Sequence, residues 1–112
     1  QNCGRYDEQI ENAYAVHSLE HGAVWITYRP NLPADALAQL RDLLSNKTYT
    51  LLSPYPDLPA PVVASAWGTQ LPLNSAADPR LPWFITKYRQ GAQTPEPGAK
   101  CSDGVGVPVT HA

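Results

Sequence analysis

Two histidines one helical turn apart form the most chemically specific feature of this sequence. His17 and His21 flank a Ser-Leu-Glu triplet that ends in Glu20, and Gly22 follows directly. If residues 17–21 form a helical turn, both imidazole rings project from the same face. This is the simplest way for a short segment to offer two imidazoles to one metal ion. The sequence therefore predicts a metal site at His17 and His21.

The expected ion is copper or zinc, because neutral imidazole favours ions of borderline softness, such as copper(II) and zinc. The sequence has no Met, so the thioether ligand that copper(I) carriers favour is missing. Two imidazoles make a weak site, so we expect a third ligand. The first candidate is His111, which the predicted Cys3–Cys101 bridge would bring near the N-terminal region, and Glu20, Asp7 and Glu8 are less supported candidates. Glu20 can alternatively accept a ring N–H and fix a tautomer, and His111 can be a terminal residue without a role.

Two other interpretations of the histidine pair remain open. The rings can simply lock the turn onto the following strand, in which case the chain is a structural or accessory subunit without a metal. The letters His-x-x-Glu-His also match an inverted zinc-peptidase motif, in which the glutamate activates water. That chemistry needs a long helix and a further acidic ligand, whereas Gly22 and an apolar run follow here. A small zinc hydrolase is therefore kept only as the weaker alternative, and we expect a non-catalytic domain.

The two cysteines stand near opposite ends of the chain. Cys3 and Cys101 predict a disulfide that joins the termini, and the alternative is a pair of thiolates at a metal. A ring of this length contributes on the order of 4–5 kcal/mol in the loop-closure description. Disulfides persist in oxidising compartments. The expected location is therefore extracytoplasmic, that is periplasmic, secreted or membrane-anchored and facing outside.

The hydrophobic pattern predicts a single domain, residues 1–112, of the α+β class. We expect a small mixed β-sheet of about three to five strands, with two helices packed on it and the terminal disulfide as a staple. Residues 1–16 are expected to be an irregular lead-in, and residues 92–112 a mostly coiled tail. The expected strands are 23–29, 49–53 and 62–67, and the expected helices run from Pro33 to about 44 and from about Pro82 to before Gly91.

The order of these elements also predicts how the strands run. A right-handed crossover makes the first two strands parallel, and the short connection after residue 53 makes the second and third antiparallel. Within the first strand, alternation places Trp25 and Thr27 on one face and Val24, Ile26 and Tyr28 on the other.

Composition excludes several classes of function. Only 16% of the residues are charged, the net charge is −2, and the eight Lys and Arg residues are scattered, so nucleic acid is not an expected partner. No apolar run reaches the roughly 18–20 residues that span a bilayer. The chain does not begin with Met, so we interpret it as a mature or trimmed form. We expect contact with a membrane only through an upstream anchor absent from this chain.

Four segments carry a family resemblance, namely residues 2–7, 16–30, 52–56 and 64–68. They resemble a bacterial family of exported domains, catalogued as a domain of unknown function and usually tethered by an N-terminal membrane segment. The match covers roughly residues 2–98. It implies an extracytoplasmic location and a site at the two histidines, with copper as a candidate ion. Family members also tend to carry a Ser-Gly-Pro-His-like segment upstream, which is missing here, so a further ligand can lie outside this chain.

The sequence as a whole predicts a non-catalytic extracytoplasmic domain that binds copper or zinc and serves metal handling or delivery. The expected partners are a membrane-associated protein complex or a metal-receiving protein. The Pro-rich segment 54–61 offers a further contact surface, because extended proline-rich segments often dock partners. An accessory subunit would use this segment and the aromatic loops.

Overall fold

A five-stranded mixed sheet with helices on both faces forms the domain in this computed structural model. The structure describes residues 2–45, 47–90 and 108. The elements in chain order are β1 (Gly4–Arg5), α1 (Asn12–Glu20), β2 (Val24–Tyr28), α2 (Ala34–Leu44), β3 (Thr50–Pro54), β4 (Val62–Ala66), β5 (Thr69–Leu73) and α3 (Arg80–Tyr88). The α+β class and the mixed sheet agree with the prediction, whereas the described residues contain three helices rather than two.

The strands lie in the order β1-β3-β2-β4-β5. β2 and β3 are parallel, as predicted, and β4 is antiparallel to β2 and β5. The third predicted strand is β4, and it runs antiparallel to β3 as predicted. Its hydrogen-bonded neighbour, however, is β2 rather than β3. The Pro-rich connection causes this, because it crosses the end of β2, where Tyr55 donates its N–H to Tyr28 and Arg29 donates to Pro61.

The larger hydrophobic core lies between the sheet and helices α2 and α3. The predicted alternation in β2 is confirmed for its apolar residues, because Val24, Ile26 and Tyr28 all belong to this core. Leu40 and Leu44 of α2 are buried in the same core, in the helical spacing that predicted α2. α3 adds three buried residues, Leu81, Phe84 and Ile85.

The opposite face of the sheet carries α1 and a smaller apolar cluster. Its buried members are Tyr6, Ile10, Ala15, Leu19, Trp25 and Leu51. The prediction of an irregular lead-in over residues 1–16 is wrong, because β1 and the first half of α1 lie within it. α1 buries only Ala15, Ser18 and Leu19. Only Leu19 among these three is large and apolar, so the hydrophobic pattern of this segment shows little helical periodicity.

The two ends of the chain leave part of the prediction without a structural answer. Cys3 is half-buried against the smaller cluster, but Cys101 lies outside the described residues, so the disulfide stays a prediction. The tail expected at 92–112 also lies outside them, apart from Pro108. Among the described residues, no helix has the length and apolar character that crossing a bilayer requires.

Candidate metal-binding site

α1 and the turn that follows it bring the two histidines together, as the sequence predicts. His17 is an exposed residue of α1, and half-buried His21 directly follows the last residue of the helix. Their ring centroids lie 4.7 Å apart, with an angle of 75° between the ring planes. The rings are therefore adjacent and accessible from solvent on the His17 side.

This separation is compatible with two imidazoles on one ion. A ring centroid lies roughly 3.2 Å from an ion that its nitrogen binds at about 2.0–2.1 Å, so two rings on one ion at about 90–110° have centroids about 4.5–5.2 Å apart. The observed 4.7 Å falls within this interval. The separation of the two rings therefore permits them to share an ion.

The helix end fixes the position of His21. His21 keeps a right-handed helical conformation (φ −82°, ψ −2°), which preserves its one-turn spacing from His17. Gly22 then adopts φ +103°. Its N–H donates to Leu19 O at 3.0 Å, and the N–H of Ala23 donates to Ser18 O at 3.1 Å. This pair of hydrogen bonds is the Schellman motif, which commonly requires glycine after the helix.

A second contact holds the same turn against the end of α3. The N–H of Gln90 donates to Gly22 O at 2.7 Å. A Cβ atom on Gly22 would lie 2.8 Å from the Cα of Gln90, a backbone atom that cannot rotate away. Gly22 is therefore required twice, by its positive φ and by this close approach. Replacing it would displace the turn that carries His21.

The sheet supplies the platform on which α1 rests. Ala15 and Leu19 of α1 pack in the same cluster as Trp25 of β2. The indole Nε1 of Trp25 donates to the Ser53 hydroxyl of β3 at 2.9 Å, in a buried hydrogen bond. The hydrogen bond to Ser53 and the packing against Ala15 and Leu19 hold the indole of Trp25 in place. The face of α1 that rests on this indole is therefore also held in place.

The described residues add no third ligand to the pair. Across residues 2–45 and 47–90, no group of three or more His, Cys, Asp or Glu side chains has a geometry that could hold a metal ion. Glu20 is half-buried at the end of α1, and its role as ligand or hydrogen-bond acceptor stays a prediction. His111 lies outside the described part of the chain, so its role also stays a prediction.

Asp7 and Glu8, the weaker ligand candidates, line a separate groove of about 610 Å³ beside Tyr28. Asp7 lies 3.9 Å from the Arg41 guanidinium, measured between carboxylate oxygen and nitrogen. Burial raises the pKa of Tyr28, and the charge of Asp7 raises it further, while Arg41 opposes this effect. Asp7 thus takes part in a polar cluster with Arg41 and Tyr28.

A groove of about 330 Å³ beside α1 was not predicted from the sequence. It lies between α1, the sheet and the Pro-rich segment, and its walls include Val16, Trp25, Tyr55 and Gln70. The side chain of Asn12 donates to the Tyr55 hydroxyl at 3.0 Å, which ties α1 to the Pro-rich segment. The sequence signal that could have indicated this groove is a polar residue inside a strand, such as Gln70.

The fold and the histidine turn describe an α+β domain with two adjacent imidazoles at a helix end. The chain belongs to the family described as "Protein of unknown function (DUF3105)", whose family model matches residues 1–103. This agrees with the resemblance to a domain-of-unknown-function family noted in the sequence. Neither a curated protein nor a solved structure matches the chain.

Proposed function

We propose that this chain is an extracytoplasmic, non-catalytic domain that binds copper(II) or zinc through His17 and His21. Its role would be metal handling or delivery to a receiving protein. The observation that carries the proposal is the 4.7 Å separation of the two ring centroids. That distance suits two imidazoles on one ion, and His17 is exposed, so an ion can enter.

Hydrolysis is a weaker candidate for the same residues. The inverted zinc-peptidase arrangement needs both histidines within a helix and a further acidic ligand. Here α1 ends at Glu20, before His21. Among the described residues, no third acidic or imidazole group joins the pair. Metal binding without catalysis therefore fits the geometry better.

Calorimetric titration with copper(II) and with zinc tests the proposal. The chain is titrated as wild type, as the double variant His17→Ala with His21→Ala, and as His111→Ala. We expect a dissociation constant of about 1 μM or tighter, equivalent to about −8 kcal/mol, which is lost in the double variant. Binding that is absent from the wild type, or unchanged in the double variant, contradicts the proposal. The His111→Ala titration shows whether that residue adds a ligand.

The extracytoplasmic location depends on the predicted bridge between Cys3 and Cys101. Mass spectrometry of protein purified without reductant, after alkylation of free thiols, tests the bridge. The expected result is an unalkylated chain that gains two alkyl groups only after reduction. Alkylation of both thiols before reduction would remove this support for an oxidising compartment.

An accessory subunit without a metal is the second candidate function. The observation that favours it is the groove beside α1, with Trp25 and Tyr55 in T-shaped contact at 5.9 Å between ring centroids. In this case the histidines only fix the turn. The titration separates the two functions, because a structural pair binds no ion and its removal merely lowers the melting temperature.

A further inference from the structure

We propose that a second copy of this chain completes the metal site, so that one ion is shared by two copies. Each copy would contribute His17 and His21, which gives four imidazole ligands around a two-fold axis. This inference rests on the proposed function and extends it by naming the partner. Three features of the described residues support it.

The first feature is the number of ligands. Structural zinc sites in proteins almost always have four ligands in tetrahedral arrangement. One copy supplies two adjacent imidazoles, and the described residues contain no larger ligand group. A two-fold axis through the ion duplicates this pair, and two-fold symmetry is the commonest symmetry of homo-oligomers. Two plus two ligands then satisfy the ion without any residue from elsewhere in the chain.

The second feature is the direction in which the pair faces. Ala15, Ser18 and Leu19 turn towards the sheet and are buried. His17 lies on the opposite, outer side of α1 and is exposed. An ion held there lies outside the domain surface, where the same turn of another copy can reach it. A pair pointing into the domain could not be shared in this way.

The third feature is the character of the outer face of α1. Five residues of α1 are exposed and none of them carries a fixed charge, namely Asn12, Ala13, Tyr14, Val16 and His17. Tyr14 and Val16 are both 41% exposed, and they are two of the three exposed large hydrophobic residues in the described part of the chain. The exposed faces of the other two helices carry charges, such as Asp35 and Lys87. Tyr14 lies three positions before His17 and seven before His21, on the same side of the helix, so it offers an apolar contact beside the ion, while the charged residue of α1, Glu20, is half-buried.

One short helix offers only a small contact area. Interfaces below about 1,200 Å² in total are typical of weak or transient association. The copies should therefore separate when the ion is removed, and the mass of the complex should depend on the metal. This dependence distinguishes the shared site from a permanent dimer.

Sedimentation velocity of the 112-residue chain, with Zn²⁺ or with chelator, tests the inference. Metal content is measured on the same samples. We expect the 12.2 kDa monomer in chelator, and twice that mass with one zinc per two chains in Zn²⁺. The double variant His17→Ala with His21→Ala should stay monomeric in both conditions.

Two further variants probe the contact without touching the ligands. Tyr14→Ala removes the large exposed side chain three positions before His17 and seven before His21, and should raise the dissociation constant of the zinc-bound dimer about tenfold or more. Trp83→Ala removes an exposed ring from α3 instead, and should leave the dimer unchanged. Equal effects of the two variants would contradict an α1 contact.

The possible failures are distinguishable. One zinc per monomer, lost in the double variant, overturns the sharing while the proposed function stands. Loss of zinc from His111→Ala in such a monomer also overturns the sharing, because the chain then completes its own site. Absence of zinc binding by the wild type overturns the proposed function and this inference together. A dimer that persists in chelator overturns the inference alone.

Discussion

The two faces of the sheet are covered in different ways. Under α2 and α3 the described core contains thirteen buried residues, whereas under α1 it contains six. The larger core is built mainly from aliphatic and aromatic residues, with the buried Thr50 at the start of β3 as a polar member of this face. The α1 face instead includes buried polar residues, such as Ser53 and Ser65, beside Trp25. It also carries the histidine turn and the groove.

This difference indicates that one face mainly stabilises the fold and the other carries the candidate binding residues. A large apolar core supplies most of the hydrophobic stabilisation, since that contribution scales with buried apolar area. The α1 face needs less of it, so it can hold polar groups and an exposed ligand pair. Substitutions on the two faces should therefore separate stability from binding.

The largest expected effect is on the α2–α3 face. Phe84→Ala removes a ring that is 2% exposed and should lower the free energy of unfolding by about 3–5 kcal/mol. Urea denaturation monitored by circular dichroism measures this loss. The folded fraction should bind zinc as the wild type does, because Phe84 lies across the sheet from the histidines. A loss below about 1 kcal/mol would argue against a main core on this face.

A somewhat smaller loss is expected at the histidine turn. Gly22→Ala introduces a Cβ at φ +103° and 2.8 Å from the Gln90 backbone, which should cost about 2–4 kcal/mol. Gly68→Ala is the matched control, because Gly68 has φ +82° but no atom within 4 Å of its added Cβ. The control should lose only the unfolding free energy that the positive φ costs a residue with a Cβ atom, about 1–2 kcal/mol. Equal losses would show that the contact with Gln90 is unimportant.

An intermediate effect is expected at the platform under α1. Trp25→Phe removes the hydrogen bond to Ser53 and leaves a buried hydroxyl without this donor. The expected loss of unfolding free energy is about 1–2 kcal/mol. Trp83→Phe serves as the control, since Trp83 is 54% exposed, and it should change stability by less than about 0.5 kcal/mol. Similar losses for both tryptophans would contradict the assignment of Trp25 as the support of α1.

The exposed ligand should contribute little to stability without metal. His17→Ala in chelator should change the unfolding free energy by no more than about 0.5 kcal/mol. Zinc at 100 times its dissociation constant should stabilise the wild type by about 2.7 kcal/mol, and this gain should disappear in the variant. Thermal denaturation with and without zinc gives both values. A large loss in chelator would instead support the structural role of the histidines.

The smallest expected effect is at the start of α3. The hydrogen bond from the Arg80 side chain lowers the pKa of the Asp78 carboxyl below its ordinary value of 3.8. Because the pKa is lower in the folded state, the stabilisation is present above pH 3.8 and disappears as the pH falls through the folded value. Asp78→Ala should therefore melt slightly below the wild type at pH 7, and the two melting temperatures should converge in acid. A difference that grows in acid would contradict this sign.

The sequence predicted the larger face well and the smaller face poorly. The leucine spacing that predicted α2 reflects a wide apolar stripe, so periodicity was sufficient there. α1 contacts the sheet through the small residues Ala15 and Ser18, which leave no such pattern. The pairing of β4 with β2 depends on the path of the Pro-rich connection across the sheet, and hydrophobic alternation carries no information about that path.

The histidine pair was predictable for a different reason. Its spacing is a local property of one helical turn, so His17 and His21 could be placed together without knowledge of the fold. The contact between Gly22 and Gln90 could not, because it joins residues far apart in sequence. Gly22 alone signalled a helix end. Its second role, in the packing against α3, required the tertiary structure.

Nuclear magnetic resonance of the chain labelled with ¹⁵N-histidine, titrated with zinc, tests the central claim most directly. The sequence has three histidines, so each ring can be assigned with single variants and followed separately. We expect the ring nitrogens of His17 and His21 to shift together and to reach their end points at the same zinc concentration. Rings of His17 and His21 that do not respond to zinc, or that respond independently of each other, would contradict it.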